Sequence, residues 1–326
     1  MIRALAIPIC SFVLTFSDAH AASFSFEMSD GQVNILYEGA PVATYVYEDD
    51  RIPRPFFCNV IAPNGEQVTR RHPTDPIMNK DNDDHGTYHP GIWLAFGDLG
   101  GEDFWRNDAS VSHVRFVEAP SADENSATFI VENAYESLTD PSILVCTERC
   151  TYTFYAEPSG YYFLMESTFS SEDDFTFGDQ EEMGIGARLA TRFTVEHGTG
   201  AIRNSEGGID ERGTWGRAAD WCSYYGEKDS ERIGVTIMPS PENFRRSWFH
   251  TRDYGLMVAN PFGEKAMTGP ADENVSPSAL SVNAGEAFRL GFGIRIFSEP
   301  ANTDVDSVSS YTKYLQLRRF TRNNSE

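Results

Sequence analysis

Two histidines and four carboxylates lie close together in a glycine-rich stretch between residues 84 and 105. His85 and His89 directly follow Asp84 in a polar segment, and an apolar run from Ile92 to Phe96 comes next. A loop of ionisable side chains joined to a buried strand is a common way to build a site, because the strand gives rigidity and the loop gives reach. We therefore expect Asp84, His85 and His89 to form part of a functional site rather than a simple turn.

A second cluster sets acids among glycines just before a predicted strand, between residues 177 and 188. Glu182 and Arg188 are separated by an even number of residues, which places both side chains on one face of an extended chain. The pair suits either a catalytic carboxylate with a binding guanidinium or a structural ion pair, and the cluster alone leaves both interpretations open.

Two further clusters carry aromatic and ionisable side chains. Trp215 lies beside a glycine-rich loop and suits stacking on the C–H face of a sugar ring, although core packing is the alternative. His250, Arg252 and Tyr254 alternate along a predicted strand and so share one face. That face suits proton transfer and the binding of a carboxylate or hydroxyl, and the alternative is the polar outer face of a half-exposed strand.

The N-terminus has the pattern of a secretory signal peptide over residues 1–21. Arg3 precedes an apolar run from Ala4 to Phe16, and Ala19-His20-Ala21 provides a cleavage site. We expect a secreted or periplasmic protein in which residues 22–326 form a single catalytic domain. No later stretch is apolar for long enough to insert into a membrane. The net charge of −23 argues against nucleic acid as a partner, since phosphate binding needs a basic surface.

Four cysteines remain after the predicted cleavage: Cys58, Cys146, Cys150 and Cys222. An even number in an exported chain suggests two disulfides, for which three connectivities exist. Cys146 and Cys150 look like two strand ends around a tight turn, so we expect that pair and, by elimination, Cys58 with Cys222. A structural zinc site is the alternative, but its paired CxxC spacing is missing.

The rest of the chain predicts an all-β fold. Short runs of β-branched and aromatic residues recur at the spacing typical of a single large antiparallel β-sandwich. Hairpins are expected at Glu38-Gly39-Ala40-Pro41 and Pro158-Ser159-Gly160, and long loops at 66–91 and 198–220. The only predicted helix is a short C-terminal one over Val305 to Arg319, capped by Asp304.

The sequence gives no strong cofactor signal. It contains no phosphate-binding glycine motif, nucleophile elbow or HExxH motif. Two histidines with the spacing of His85 and His89 can chelate a metal ion when they lie on a helix. The local sequence predicts a loop instead, so a metal site is only a weak expectation. We therefore expect no cofactor.

The four clusters together resemble an exported bacterial family, domain-of-unknown-function family 6807, often labelled "methane oxygenase PmoA-like". The resemblance covers nearly all of the predicted mature chain, on these motifs: Arg54-Pro55-Phe56-Phe57, Ala62-Pro63-Asn64-Gly65, Asp84-His85 to Trp93, Gly97-Asp98 to Phe104-Trp105, Phe177-Gly178-Asp179 to Glu182 with Arg188, Trp215-Gly216 to Trp221, and Arg252-Asp253-Tyr254-Gly255-Leu256 to Asn260-Pro261-Phe262-Gly263. The family usually has a further histidine and an arginine in the first loop and a lysine before the glutamate. This chain has Thr87 or Tyr88, Pro90 and Glu181 at about those places.

The resemblance implies a β-sandwich of the kind shared with sugar-processing proteins, in bacteria that degrade polysaccharides. The oxygenase label implies an integral membrane protein, which does not suit a chain without a predicted spanning segment. We therefore expect a carbohydrate substrate as the partner, and the sequence predicts no oligomeric state.

Our leading hypothesis is an enzyme that cleaves glycosidic bonds by hydrolysis, with Glu182 and either Asp84 or Asp98 as the carboxylates. The expected catalytic residues are His89, Glu182, His250 and Tyr254. The expected substrate-binding residues are Asp84, His85, Trp93, Arg188, Trp215, Arg252 and Asn260.

Three alternatives remain open from the sequence. A polysaccharide lyase acting on uronic acids would use His250 or Tyr254 for proton transfer and Arg188 or Arg252 against the substrate carboxylate. A sugar epimerase or mutarotase would use one histidine as acid and one glutamate as base. A carbohydrate-binding protein would use the same residues without turnover.

Overall fold

The computed structural model describes residues 23–77, 80–123, 126–140, 142–268, 279–302 and 307–323. The predicted signal peptide over residues 1–21 and the predicted helix cap Asp304 lie outside the described residues. No helix in the described ranges is long and apolar enough to cross a membrane.

Nineteen strands make up most of the described chain. The first ten are β1 (Phe24–Ser29), β2 (Gln32–Tyr37), β3 (Ala40–Val46), β4 (Phe56–Cys58), β5 (Ile92–Phe96), β6 (Ala109–Ala122), β7 (Ala127–Ser137), β8 (Leu144–Glu157), β9 (Gly160–Ser170) and β10 (Phe175–Phe177). The others are β11 (Met183–Arg188), β12 (Ala201–Asn204), β13 (Arg217–Ala218), β14 (Cys222–Lys228), β15 (Glu231–Pro239), β16 (Trp248–Arg252), β17 (Leu256–Asn260), β18 (Leu280–Val282) and β19 (Ala287–Pro300).

The strands form two large antiparallel sheets that stack as a β-sandwich, which confirms the predicted fold class. The first sheet has the order β1-β2-β3-β4-β5-β11-β17-β16-β13, and the second has the order β12-β14-β15-β19-β9-β8-β7-β6. Strands β10 and β18 form a separate two-stranded sheet. One large apolar cluster takes side chains from both large sheets and fills the space between them.

Both predicted hairpins are confirmed. Glu38 and Gly39 have positive φ angles of 51° and 78°, which suits a two-residue turn between β2 and β3. Glu157 lies opposite Gly160 at the turn between β8 and β9.

Helices are few and short. They are α1 (Asp210–Thr214), α2 (Glu264–Thr268), α3 (Ser307–Asn323) and a 3-10 turn at Thr191–Phe193. The C-terminal helix was expected, whereas α1 lies inside residues 198–220, which the sequence predicted as a loop. That prediction is wrong, because the segment also holds strands β12 and β13.

The predicted disulfides are wrong: Cys58, Cys146, Cys150 and Cys222 are all buried and free. Cys146 and Cys150 lie on the same strand, β8, four residues apart. An extended strand rises about 3.3 Å per residue, which puts their Cα atoms about 13 Å apart, far beyond the roughly 7 Å limit of a disulfide. Their partners across the ladder are Tyr135 and Val131 on β7, so the segment is mid-strand and not a turn.

Candidate functional site

Side-chain alternation gives the first sheet an inner face toward the core and an outer face that carries the candidate site. Ile185 and Ala187 of β11 belong to the central core, so Gly186 lies on the outer face between them. Trp93 is opposite Gly186, Gly186 is opposite Val258, and Val258 is opposite His250. These residues form one row across four strands, about 14 Å wide at the usual strand spacing of about 4.8 Å.

Glycine is required at position 186 by this arrangement. A Cβ atom there would lie 2.7 Å from the Trp93 ring, so Gly186 leaves room for the indole to lie flat over the sheet. Trp93 packs in turn against Trp105 at 5.2 Å between ring centroids. Trp93 is buried and supports the site from below rather than facing solvent.

The loop of residues 82–89, here the His85 loop, is held by the buried guanidinium of Arg70. Its Nη1 donates to the carbonyl oxygens of Asn82 and Asp84 at 3.0 and 2.6 Å. Its Nη2 donates to the carbonyl oxygens of His85 and His89 at 3.1 and 2.8 Å. Four backbone acceptors thus converge on one side chain, which fixes the shape of the loop.

A second buried arginine, Arg54, joins the end of the His85 loop to the neighbouring segment. It donates to the carbonyl oxygens of Tyr88 at 2.5 Å and Trp105 at 3.1 Å, and also to the Asn107 side chain. Neither Arg54 nor Arg70 was expected in the site from sequence. Nothing in the local pattern indicates them, because all their contacts are to residues distant along the chain.

Asp84 is the centre of a charged group on the outer face. Arg188, at the end of β11, donates from Nη2 to both carboxylate oxygens at 2.9 and 3.0 Å. His85 Nδ1 lies 3.3 Å from Asp84 Oδ2, and the His85 side chain is 51% exposed. Although partial burial opposes ionisation, Arg188 and His85 hold the pKa of Asp84 below its usual value. Asp84 is therefore an ionised carboxylate that orients an accessible imidazole.

His89 lies beneath His85 and is only 1% exposed. Its ring stacks on Trp93 at 5.2 Å with an interplanar angle of 14°, and it lies 5.2 Å from the His85 ring. Neither ring nitrogen has a hydrogen-bond partner among the described residues. Burial, and then the nearby charge of Arg188, lowers the pKa of His89 well below its ordinary value, so the ring is neutral.

Tyr254 lies beside both Arg188 and His85. The Arg188 guanidinium lies 4.4 Å above its ring, and the ring stacks with His85 at 6.4 Å. Burial raises the pKa of Tyr254, and the charges of both Asp84 and Glu182 act in the same direction. The phenol is therefore protonated and within electrostatic reach of both carboxylates.

Glu182 lies on the other side of Tyr254 and pairs with Arg106. Arg106 also bonds to Asp103 at 2.8 Å, so the three side chains form a small network. The Glu182 side chain is only 17% exposed. Burial raises the pKa of Glu182, and the neighbouring charges of Glu181 and Asp103 add to that rise while Arg106 and His85 oppose it. Arg106 was not expected from sequence, because it lies outside the four clusters.

His250 and Asn260 are buried and act on the backbone that carries Glu182. His250 Nδ1 is 3.1 Å from the carbonyl oxygen of Glu181, and Asn260 Nδ2 donates to Gln180 at 2.7 Å and to Glu181 at 3.2 Å. Burial, and then Arg252, lowers the pKa of His250 to about 3. These contacts hold the backbone just before Glu182 in place.

Arg252 and Trp215 lie at the far end of the row. The Arg252 guanidinium is 5.5 Å above the Trp215 ring and pairs with Glu211 at 3.2 Å. Its other nitrogen lies 3.7 Å from Glu181. The half-exposed Trp215 therefore neighbours the acid cluster through Arg252 and Glu181.

The structure thus brings most of the expected residues to one face. The His85 ring lies against both His89 and Tyr254, and the charges of Asp84 and Glu182 both act on Tyr254. Asp98, the alternative second carboxylate, packs instead against Gly178, and no hydrogen bond or ion pair joins it to Glu182 within the described part of the chain. The described residues contain no group of three or more histidine, cysteine or carboxylate side chains arranged to hold a metal ion.

Comparison with known proteins gives one family match. The sequence profile described as a family of unknown function (DUF6807) matches residues 32–310. No curated protein is detectably similar in sequence.

Solved structures with a similar fold include a galactose mutarotase-like protein from Clostridium acetobutylicum. It has a TM-score of 0.46 and 10% identity over 86% of this chain and 99% of that one. A GH36 α-galactosidase from Geobacillus stearothermophilus has a TM-score of 0.42 and 8% identity over 85% of this chain. The match spans 41% of the α-galactosidase. Similarity at this level concerns the fold and assigns no activity.

Proposed function

The chain belongs to the family of unknown function DUF6807, and we propose that it is an enzyme that hydrolyses glycosidic bonds in a carbohydrate. Glu182 would be the general acid that protonates the leaving oxygen. Asp84 and the His85 that it orients would form the base that activates water. The charges of both Asp84 and Glu182 act on Tyr254, and the partly exposed ring of Tyr254 suits contact with the C–H face of a sugar.

The observation that carries the proposal is the opposite effect of the environment on two carboxyl groups. The pKa of Glu182 is raised, chiefly by burial, whereas Arg188 and His85 hold the pKa of Asp84 down. A hydrolase needs one carboxyl group that keeps its proton and another that does not. Asp98 suits this role less well, because its carboxylate packs against Gly178.

The alternative of β-elimination on uronic acids has less support. It needs a guanidinium that is free to neutralise the substrate carboxylate. The two arginines that the sequence suggested for this role are both paired, Arg188 with Asp84 and Arg252 with Glu211 and Glu181.

A second candidate, interconversion of sugar anomers, is favoured by one specific observation. His85 is the accessible imidazole of this face, and its charge is among those that lower the pKa of Glu182. Ring opening of an aldose needs only one acid and one base, without water activation. It would use Glu182 and His85 and would not need the Asp84 carboxylate as a reacting group.

The test is incubation of the purified protein with a panel of plant and algal oligosaccharides, followed by assays for new reducing ends and by NMR of the anomeric protons. We expect new reducing ends from at least one substrate and their loss in Glu182→Gln and Asp84→Asn. Asp98→Asn is the matched control and should retain activity.

Other outcomes identify the alternatives. Faster anomer exchange without new reducing ends would replace hydrolysis by mutarotation. Ultraviolet absorbance of an unsaturated uronate would indicate elimination. Binding of a glycan without any product, at the same level in wild type and Glu182→Gln, would leave only a binding protein.

A further inference from the structure

A pocket of about 460 Å³ opens beside the candidate site, and its chemistry differs from that of the rest of the molecule. We call it the arginine pocket, and its main lining residues are Glu211, Arg212, Trp215, Arg217, Arg252 and Met267. The volume lies within the range of roughly 300–1,000 Å³ that is usual for small-molecule sites.

Local turns bring the lining residues together. Trp215 follows helix α1, and Gly216 then adopts a positive φ of 63°. A Cβ atom at Gly216 would lie 2.8 Å from the Met267 carbonyl oxygen, so glycine allows helix α2 to approach. Arg217 begins the edge strand β13 directly afterwards. The pocket is thus a built feature between α1, α2 and the edge of the first sheet.

The charge balance of the arginine pocket is positive. Three guanidinium groups face one carboxylate, Glu211, which already pairs with Arg252 at 3.2 Å. Arg212 and Arg217 are exposed, and neither forms an ion pair with any carboxylate in the described ranges. The whole protein has a net charge of −23. Two unpaired guanidinium groups side by side are therefore a local exception to the charge of the surface.

Guanidinium groups beside an indole ring suit an anionic sugar. The planar fork of arginine binds carboxylate and sulfate oxygens in pairs, and the face of a tryptophan stacks on a sugar ring. The pocket also adjoins the proposed reaction centre, since Arg252 lines it and lies 3.7 Å from Glu181, the neighbour of Glu182.

We propose that the arginine pocket binds an acidic unit of the substrate, a sugar with a carboxylate or sulfate group, beside the bond that is cleaved. The role of the arginine pocket in catalysis rests on the proposed hydrolase function, whereas the binding of an acidic sugar does not depend on it. It names the substrate class as an acidic glycan, held by Arg212 and Arg217 with the sugar ring over Trp215.

The test compares the binding of four probes by isothermal titration calorimetry: methyl glucuronide, glucose 6-sulfate, methyl glucoside and inorganic sulfate. The test variant is Arg212→Gln/Arg217→Gln, and both positions are exposed, so folding should be retained. The control variant, Arg149→Gln/Arg289→Gln, makes the same change in charge on the second sheet, where both residues are exposed and lie opposite Thr168.

We expect wild type and the control variant to bind the anionic sugars more tightly than methyl glucoside. The test variant should lose about tenfold in affinity for them, as two exposed ion pairs together allow. Whichever of the glucuronide and the sulfate binds more tightly identifies the acidic group. Equal binding of neutral and anionic sugars, unchanged binding by the test variant, or inorganic sulfate binding as tightly as the sugar sulfate would overturn the proposal.

Failure of the hydrolase function would look different. In that case the anionic probes would still bind and respond to Arg212→Gln/Arg217→Gln, but no oligosaccharide would be cleaved. Conversely, cleavage of a neutral glycan at the same rate by the test variant, without binding of anionic probes, would support the hydrolase and remove the acidic subsite.

Discussion

Replacing Arg70 by lysine tests whether one buried side chain sets the shape of the His85 loop. Arg70 reaches four carbonyl oxygens from two nitrogens at 2.6 to 3.1 Å. A lysine ammonium keeps the charge but has three donors at a single point, so it cannot reach all four acceptors. We expect about two of these charge-assisted bonds to be lost.

The expected cost follows from that count. A hydrogen bond to a charged group contributes about 1.5 kcal/mol or more, so losing two lowers the free energy of unfolding by about 3 kcal/mol. For a chain of this size, that corresponds to a fall in Tm of about 5 °C. Urea unfolding followed by tryptophan fluorescence measures the change. Activity should fall at least about tenfold at temperatures where Arg70→Lys stays folded, because the loop carries Asp84 and His85.

Arg192→Lys is the matched control for this substitution. Arg192 also donates to a carbonyl oxygen, that of Gln67 at 3.0 Å, but its side chain is 48% exposed and pairs with Glu66. We expect a loss below about 1 kcal/mol there. If Arg70→Lys stays within about 0.5 kcal/mol of wild type, other contacts hold the loop. If it is destabilised but fully active, the loop has no part in catalysis.

Three further outcomes are expected. Because Glu182 is proposed to act while protonated, kcat/KM should fall as the pH rises through its raised pKa. Glu182→Gln should lower turnover by about 10²–10⁴-fold, with only a small fall in Tm from the weakened pair with Arg106. A pH profile without this limb would exclude Glu182 as the acid. His250 has a pKa of about 3 when folded and about 6.5 when unfolded, so the unfolded state binds one more proton between these values. The free energy of unfolding should therefore fall by about 1.4 kcal/mol per pH unit on acidification. The same free energy, measured by urea unfolding of His250→Gln, should change less steeply with pH by about that amount. The four described cysteines should react with iodoacetamide only after unfolding, as mapped by mass spectrometry, and a reductant should leave Tm unchanged; protection in the unfolded, unreduced protein would indicate a disulfide instead.

The alternation of apolar and polar residues along the predicted strands accounts for most of what the sequence predicted correctly about the fold. It placed the β-sandwich, both hairpins and the outer face that holds His250 and Arg252. The same logic would have corrected the cysteine assignment, because Cys146, Glu148 and Cys150 are spaced by two and continue into Tyr152. That is the pattern of a strand with its alternate residues inside, and all four of these side chains are buried.

The residues that the sequence did not reveal are those whose role depends on distant contacts. Arg54 and Arg70 lie outside any motif of ionisable side chains, and their partners are between 12 and 53 residues away. Arg106 likewise reaches Glu182 across 76 positions. Spacing along the chain carries no signal for such pairs. Asn260 was predicted to bind substrate from its place near a cluster, and its side-chain hydrogen bonds in the described structure are to backbone groups.

These distant arginines decide which reaction the proposed site suits. Arg188 helps to hold the pKa of Asp84 below its usual value, and the charges of Arg188 and Arg70 add to burial in lowering the pKa of His89. His89 therefore cannot supply the acid, and His250 is neutral for the same kind of reason. Tyr254 keeps its proton too firmly to serve as a base, because its pKa is raised. Of the two carboxyl groups Glu182 and Asp84, Glu182 is the one whose pKa is raised, and its side chain is 17% exposed. Glu182 is therefore the acid of the proposed reaction, with the ionised Asp84 or its partner His85 as the proposed base.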